Sequence, residues 1–304
     1  MAGNLMIQGQ FPDLFAARLA YIDEIIQHSY QAPNPVYPMV FGVKDSNRAY
    51  EETTGVTGFG LFSQQLEGAS VDYDAIQQAW DKRFTHLKYG KGFQISEDAS
   101  DDDVDGAITN LAPALGTAAQ HSIETVAMNV FNNGFGSETT PDGVSLFNDA
   151  HVLRGGGTAD NLVTGDLSVA NLETAVNLLD GLKDERNQPM LAEPSILLIP
   201  QGVSGLRWIA HEILRSQLRS DTANNATNAF NQLGLQIVTC RYLTNAPDWF
   251  LGMAPSATKL RFYWRKRPVT AHAMDFDTGN FKTKMTYRFS VGAADWRGWV
   301  GGNA

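Results

Sequence analysis

Residues 100–135, SDDDVDGAITNLAPALGTAAQHSIETVAMNVFNNGF, constrain this chain more than any other stretch. Apolar side chains recur at Val104, Ile108, Leu111, Leu115, Ala119, Ile123, Val126 and Val130, in steps of three or four, so a helix here presents one apolar stripe. Ser100 can cap the first free amides, and Asp101, Asp102 and Asp103 set negative charge against the positive end of the helix dipole. Such a helix spans on the order of 50 Å, more than the width of a small domain, and therefore acts as a spine between separate masses of protein. Its predicted core residues are Ile108, Leu111, Leu115, Ile123 and Val126. Pro113 lacks an amide hydrogen and Gly116 follows closely, which predicts a bend near Ala112 or two shorter helices meeting there. Asn132, Asn133 and Gly134 predict a stop with a left-handed cap.

The rest of the chain is soluble in character. It has 304 residues, 43% of them hydrophobic, enough for one large core or two modest ones. No apolar run approaches 18 residues, and the opening MAGNLMIQGQFPD lacks a basic region and a signal-length apolar core, so neither a membrane partner nor export is expected. The single cysteine, Cys240, lies in the apolar run LQIVTC and reads as a small buried residue suited to a reducing cytoplasm. A net charge of -10 argues against a protein that grips nucleic acid through a broad basic face.

Residues 5–30 carry Phe11, Leu14, Phe15, Leu19, Ile22, Ile25 and Ile26 at helical spacing, before Pro33, Pro35 and Pro38 force an extended path. Residues 1–43 thus read as an arm laid against the spine or a neighbouring subunit. In 44–98, KDSNRAYEETTGVTGFGLFSQQLEGASVDY is rich in Gly, Thr and charge, and FTHLKYGKGFQIS alternates as a strand does. A long two-stranded excursion is expected, marginal alone and completed by a partner. After the spine, Pro141, Asp142 and Gly143 mark a turn, 144–147 a short strand, and Gly155, Gly156 and Gly157 a loop. Leu167, Leu172, Val176, Leu179 and Leu182 then share a helical face. A buried strand at 196–199, a helix at 203–219 and strands at 235–240 and 249–253 complete a compact α/β domain. Within it, 220–232, SDTANNATNAFNQ, reads as a loop ordered only by neighbours, with Phe230 tucked under its own domain. Strands at 260–264 and 283–291, joined by a turn at Asp277 to Asn280, need a partner for their apolar face, and the spine supplies one.

His151 near Asp149 invites a metal or hydrolytic reading, and a cytoplasmic hydrolase using this pair is the enzyme alternative. The chain has only 6 histidines, no HxH or HExxH spacing, no nucleophile elbow, and no GK[ST] after its glycine triplet. No catalytic, cofactor-binding or metal-ligating residue is assigned, and no enzyme is expected. Arg261, Arg265, Lys266 and Arg267, interleaved with Phe262, Tyr263 and Trp264, could touch a phosphate, but on an alternating strand they read better as a solvated face or half of an intersubunit salt bridge.

This order of parts resembles the major capsid proteins of tailed bacteriophages, specifically the Mu-like major head subunit family. The resemblance is carried by PDGVSLFNDAHVLRGGGTADNL, EPSILLIPQGVSGLRWIAHEIL and MTYRFSVGAADWRGWVGG. It implies an α+β fold of the Hong Kong 97 type: an arm (1–43), an extended β-hairpin loop (44–98), a peripheral domain (99–164) with its spine helix, an axial domain (165–258) and strands returning to the peripheral domain (259–304). It also implies a virion protein, assembled in the host bacterial cytoplasm into hexamers and pentamers of an icosahedral shell around double-stranded DNA. The main partner would be the chain itself, with portal and scaffold or decoration proteins besides. Some family members carry a removable N-terminal scaffolding segment, and none is evident here. Expected intersubunit contacts are Arg48, Tyr50, Glu51, Phe59, Phe62, Lys88, Lys91, Asn224, Asn225, Asn228, Arg265 and Arg267. An encapsulin-like compartment shell is the alternative of the same architecture.

Overall fold

The computed structural model describes the chain except residues 1–11, 32–33, 69, 72, 76–77, 97–106, 155, 203–204, 220–226, 246, 276–277, 279 and 304. In chain order the elements are α1 (Pro12–Gln31), α2 (Tyr37–Val40), β1 (Gly42–Asp45), β2 (Tyr50–Val56), β3 (Gln78–Thr85), β4 (Leu87–Ile95) and α3 (Ala107–Asn132). There follow β5 (His151–Val152), β6 (Thr158–Ala159), β7 (Leu162–Thr164), α4 (Val169–Asp180), β8 (Ile196–Pro200) and α5 (Leu206–Arg215). A 3-10 turn (Ala229–Gln232) leads to β9 (Gln236–Cys240), β10 (Trp249–Gly252), β11 (Leu260–Met274), β12 (Phe281–Ala293) and β13 (Trp299–Asn303). Two compact units form: one gathers residues 1–35, 87–124 and 265–289, the other 36–86, 125–264 and 290–304. The division runs through α3, β11 and β12 rather than between consecutive segments.

The spine is α3, continuous through Pro113. The proline forfeits one backbone hydrogen bond near the helix start, and the helix continues past it to Asn132. The proposed cap at Ser100 and the aspartates after it lie outside the described residues. The buried face is Ala112, Leu115, Ala119, Ile123, Ala127, Met128, Val130 and Phe131. Leu111 is 42% exposed and Val126 half-buried, so the stripe is rotated from the expected one. The cause is small residues: a Cβ on Gly116 would collide with the Ile26 carbonyl oxygen and lie 3.0 Å from the Tyr30 amide, so α1 crosses where side chains are least bulky. The helix end also differs from expectation, because no residue there is left-handed. The Asn133 and Gly134 amides return to Asn129 and Phe131, and Gly134 is required because a Cβ would lie 2.8 Å from the Phe147 ring.

In the first unit β4 pairs antiparallel with β12, from Leu87 opposite Phe289 to Ile95 opposite Phe281. One face of this sheet carries Tyr89, Lys91, Met285 and Tyr287, which share a cavity of about 150 Å³ with Leu115, Ala118, Ala119 and Ser122 of α3. Asp23 of α1 docks on the same face, accepting from His272 at 2.8 Å and from Thr270. Burial leaves the Tyr89 and Tyr287 hydroxyls harder to ionise than an ordinary tyrosine. Leu115→Ala, which enlarges this cavity, is expected to cost about 2 to 5 kcal/mol, measured as a lower denaturation midpoint.

The second unit is built on a five-stranded sheet of order β7, β13, β10, β8, β9. Its centre is consistently buried: all of 196–200 and 249–252 are inside. α4 is capped by Ser168, whose oxygen accepts from the Asn171 amide, and buries Leu172, Ala175 and Leu179 against β7 and β13. Phe131, Phe147, Phe250 and Trp299 form an aromatic core, with Phe131 within 5.0 Å of both Phe250 and Trp299. The expected excursion is realised only in part. β2 pairs with β3, but the alternating run FTHLKYGKGFQIS breaks at His86 and β4 joins β12 instead. His86 is buried between the Ser46 and Ser290 hydroxyls, which fixes the turn in the backbone.

Candidate functional site

The β2 and β3 hairpin alternates exposed and half-buried positions along β2, and β3 buries only Ala79 and Phe84. Between its strands, residues 57–77 are anchored at both legs. The Gly60 amide donates to Asp74 at 2.7 Å, Arg186 pairs with Asp74 and donates to the Ala75 carbonyl at 2.7 Å, and Gln188 donates to the Phe59 carbonyl at 3.0 Å. The anchor is a tight turn in which Asp184 accepts from the Arg186 and Gln188 amides and Asn187 takes φ 62°. The Gly60 amide, then Arg186, hold the Asp74 carboxyl below the usual aspartate range. Beyond these pins the tip is apolar and uncovered: Phe62 is 100% exposed and Tyr73 90%, with Phe59, Leu61, Leu66 and Val71 exposed beside them. Six such side chains on one loop exceed the scattered apolar exposure normal for a surface.

Of the expected contact residues, Phe59 and Phe62 lie on this tip, and Arg48 and Tyr50 are exposed near its base. Tyr50 lies under the Arg83 guanidinium at 3.7 Å. Glu51 is half-buried and accepts from Ser46 at 2.6 Å. Lys88 and Lys91 sit on β4, in the other unit, on opposite faces of the strand; Arg265 and Arg267 follow on β11, half-buried and exposed. Asn224 and Asn225 lie outside the described residues. Asn228 is corrected: it is buried, donates to the Ile213 and Ser216 carbonyls and accepts from the Phe230 amide, so it caps its own chain. Phe230 is buried as expected. Sequence reasoning did not single out Leu61, Leu66, Val71 and Tyr73, although apolar residues without period in a Gly- and Ser-rich segment were the available signal.

His151 does not pair with Asp149. Its Nδ1 meets Asp142 at 2.6 Å, its Nε2 meets Asn161 Oδ1 at 3.1 Å, and its ring stacks on Trp296 at 4.2 Å. The Asn161 amide nitrogen donates to the Leu146 and Trp299 carbonyls, which fixes its oxygen toward the imidazole. Fully buried, this cluster ties the turn at 140–143 to the C-terminal strand. Burial would raise the Asp142 carboxyl, but hydrogen bonds from His151 and Thr140 and the His151 charge outweigh it and hold the group below its ordinary 3.8. Its folded value being the lower one, its stabilisation is complete above 3.8 and fades as pH falls through the folded value. Asp142→Asn is therefore expected to melt below the native chain at neutral pH, with the difference shrinking on acidification below about pH 4. Among the described residues no cluster of His, Cys, Asp and Glu could hold a metal ion, and no helix is long and apolar enough to cross a membrane.

The family described as phage capsid protein matches residues 80–301. The chain belongs to the phage capsid protein family. No curated protein matches it in sequence. Among solved structures, the capsid of cyanophage P-SCSP1u superposes with TM-score 0.59 at 12% identity, over 89% of this chain and 88% of that one. Microbacterium phage Oxtober96 gives 0.55 at 12% identity, over 89% and 91%. The capsid of bacteriophage JBD30, decorated with minor capsid protein trimers, gives 0.54 at 14% identity, over 70% and 92%. The fold is the Hong Kong 97-type capsid fold seen in tailed-phage capsids, and this chain is a phage capsid protein, a structural component of the virion.

Proposed function

We propose that copies of this capsid protein form hexamers and pentamers of an icosahedral shell enclosing double-stranded DNA, each copy laying residues 57–77 onto a neighbour. The observation that carries the proposal is the anchored loop with its uncovered apolar tip, which its own chain leaves in water. Head-to-tail contacts of this kind close into rings, and many weak contacts made together stabilise a shell far beyond any pair. Arg48, Tyr50, Glu51, Phe59, Phe62, Lys88, Lys91, Arg265 and Arg267 remain proposed contacts, as do Asn224 and Asn225 near the local axis. Residues 165–258 would form the axial region and α3 the peripheral spine, with portal and scaffold or decoration proteins as further partners. The role is structural, without catalysis, and assembly takes place in the host bacterial cytoplasm. Electron microscopy of the expressed protein tests this: closed shells holding nuclease-protected DNA are expected in infected cells. Dispersed subunits at high concentration would overturn the shell, and cargo protein inside would favour the encapsulin-like reading.

A further inference from the structure

The five-stranded sheet of the second unit ends in β7 on one side and β9 on the other, and among the described residues no strand pairs with the outer side of either. The parallel ladder between β8 and β9 fixes which backbone groups are free. The Gln236 amide donates to the Ser195 carbonyl and the Gln201 amide to the Cys240 carbonyl, so Gln236, Val238 and Cys240 turn their backbone groups toward β8. Ile237 and Thr239 therefore each aim an amide and a carbonyl outward. At the other edge, the Gly301 amide donates to the Asn161 carbonyl and the Gly165 amide to the Asn303 carbonyl, which commits Asn161, Val163 and Gly165 to β13. Leu162 and Thr164 face away from it. Asp160 accepts from the Leu162 amide at 2.7 Å, which leaves the Leu162 carbonyl and both Thr164 groups pointing outward. Neither strand carries a charge, a proline or a bulge, the devices that keep an open edge from templating another chain.

We propose that the β9 edge of one copy pairs in parallel with the β7 edge of the next, so that the sheets of a ring of copies join edge to edge. The directions match. β7 runs parallel to β13, β13 and β8 both run antiparallel to β10, and β9 runs parallel to β8, so β7 and β9 point the same way. A rotation about an axis along the strands brings β9 of one copy to β7 of the next without reversing either, and the contact repeats head to tail until the ring closes. Pairing of β9 with another β9 about a twofold would be antiparallel, stop at two copies and leave every β7 edge open. With Thr164 placed between Ile237 and Thr239, the Ile237 amide donates to the Leu162 carbonyl, the Thr164 amide to the Ile237 carbonyl, and the Thr239 amide to the Thr164 carbonyl. The same register sets Asp166 of one copy opposite Cys240 and beside Arg241 of the other, and these opposite charges are both exposed. So short a ladder is weak alone and holds because the ring makes all its copies together.

The pairing rests on the shell reading, and two measurements tell them apart. Amide exchange resolved to single residues should find Gln236, Val238 and Cys240 protected in dispersed subunits and shells alike. Ile237, Thr239 and Thr164 should exchange freely in subunits and about tenfold more slowly, or slower still, in shells. Equal exchange of Ile237 and Thr239 in the two states overturns the pairing. Native chain that forms no shell overturns the shell reading, and the pairing with it. The second measurement oxidises shells of Asp166→Cys with Arg241→Cys in a Cys240→Ala background. These positions lie at opposite ends of one copy's sheet, so a disulfide between them joins two copies. A ladder of linked subunits up to the whole pentamer or hexamer is expected on a non-reducing gel, with none from either single variant. Links from Arg241→Cys alone would mean that β9 meets β9, and shells of the double variant without links count equally against the proposal. The exchange measurement uses the native chain and decides the question even if the cysteine variants fold poorly.

Discussion

Replacing Leu61, Phe62, Leu66 and Tyr73 with serine is expected to leave the subunit folded and to abolish closed shells. None of the four is buried in its own chain, so their loss removes no native packing. The pins that set the loop's path, Asp74 with Arg186 and Gln188 with the Phe59 carbonyl, remain in place. Fully burying a large apolar side chain contributes about 1.5–3 kcal/mol, so even half-burial of four against a neighbour is worth several kcal/mol per contact. That is the scale on which assembly turns, because ordering and association costs consume most of what an interface gains. Far-ultraviolet circular dichroism and the melting temperature of dispersed subunits should match the native chain, while micrographs show no shells. Shells of normal size from the variant would mean that the loop is not the contact.

Periodicity made much of this fold legible. The stripe of α4, the buried run of β8 and the position of the spine followed from apolar spacing. The losses had specific causes. Alternation passes unbroken through His86, so the sequence does not show that β3 and β4 belong to different sheets; the signal is a buried histidine held by Ser46 and Ser290, remote in sequence. Counting only bulky residues on α3 put Leu111 and Val126 at its centre, whereas Gly116 draws α1 onto the side of small residues. Asn228 looked like one member of an Asn-rich loop and is a buried cap. For His151, the nearest carboxylate in sequence drew the eye, yet the turn at Gly143 with φ 91° brings Asp142 to the imidazole.

Gly302→Ala is expected to be the most damaging single-methyl change in the second unit. β10 and β13 run antiparallel, with Trp249 opposite Gly302 and Gly252 opposite Trp299. Each indole lies across the glycine facing it: a Cβ on Gly302 would collide with Cε2 and Nε1 of Trp249, and one on Gly252 would meet the Trp299 ring. Neither ring can swing aside cheaply. Trp249 Nε1 donates to the Gly165 carbonyl at 3.2 Å and Trp299 Nε1 to Thr258 at 2.8 Å, and a displaced indole would leave a buried donor unpaired. At Gly301, next in the strand, a Cβ would lie 2.6 Å from the Phe147 ring, so the strand cannot slide toward the core either. Overpacking of this kind costs about 1–3 kcal/mol and more where nothing yields, which places Gly302→Ala and Gly252→Ala near the upper end. In a body of this size each kcal/mol lowers the melting temperature by about 2–4 °C. Gly58→Ala is the control, since a Cβ there meets nothing within 4 Å. If the clash with Trp249 is the cause, Trp249→Phe combined with Gly302→Ala should cost less than the sum of the two changes, because the smaller ring vacates the space that the methyl enters. Additive losses would place the defect in the backbone of β13 rather than in the glycine and tryptophan pair.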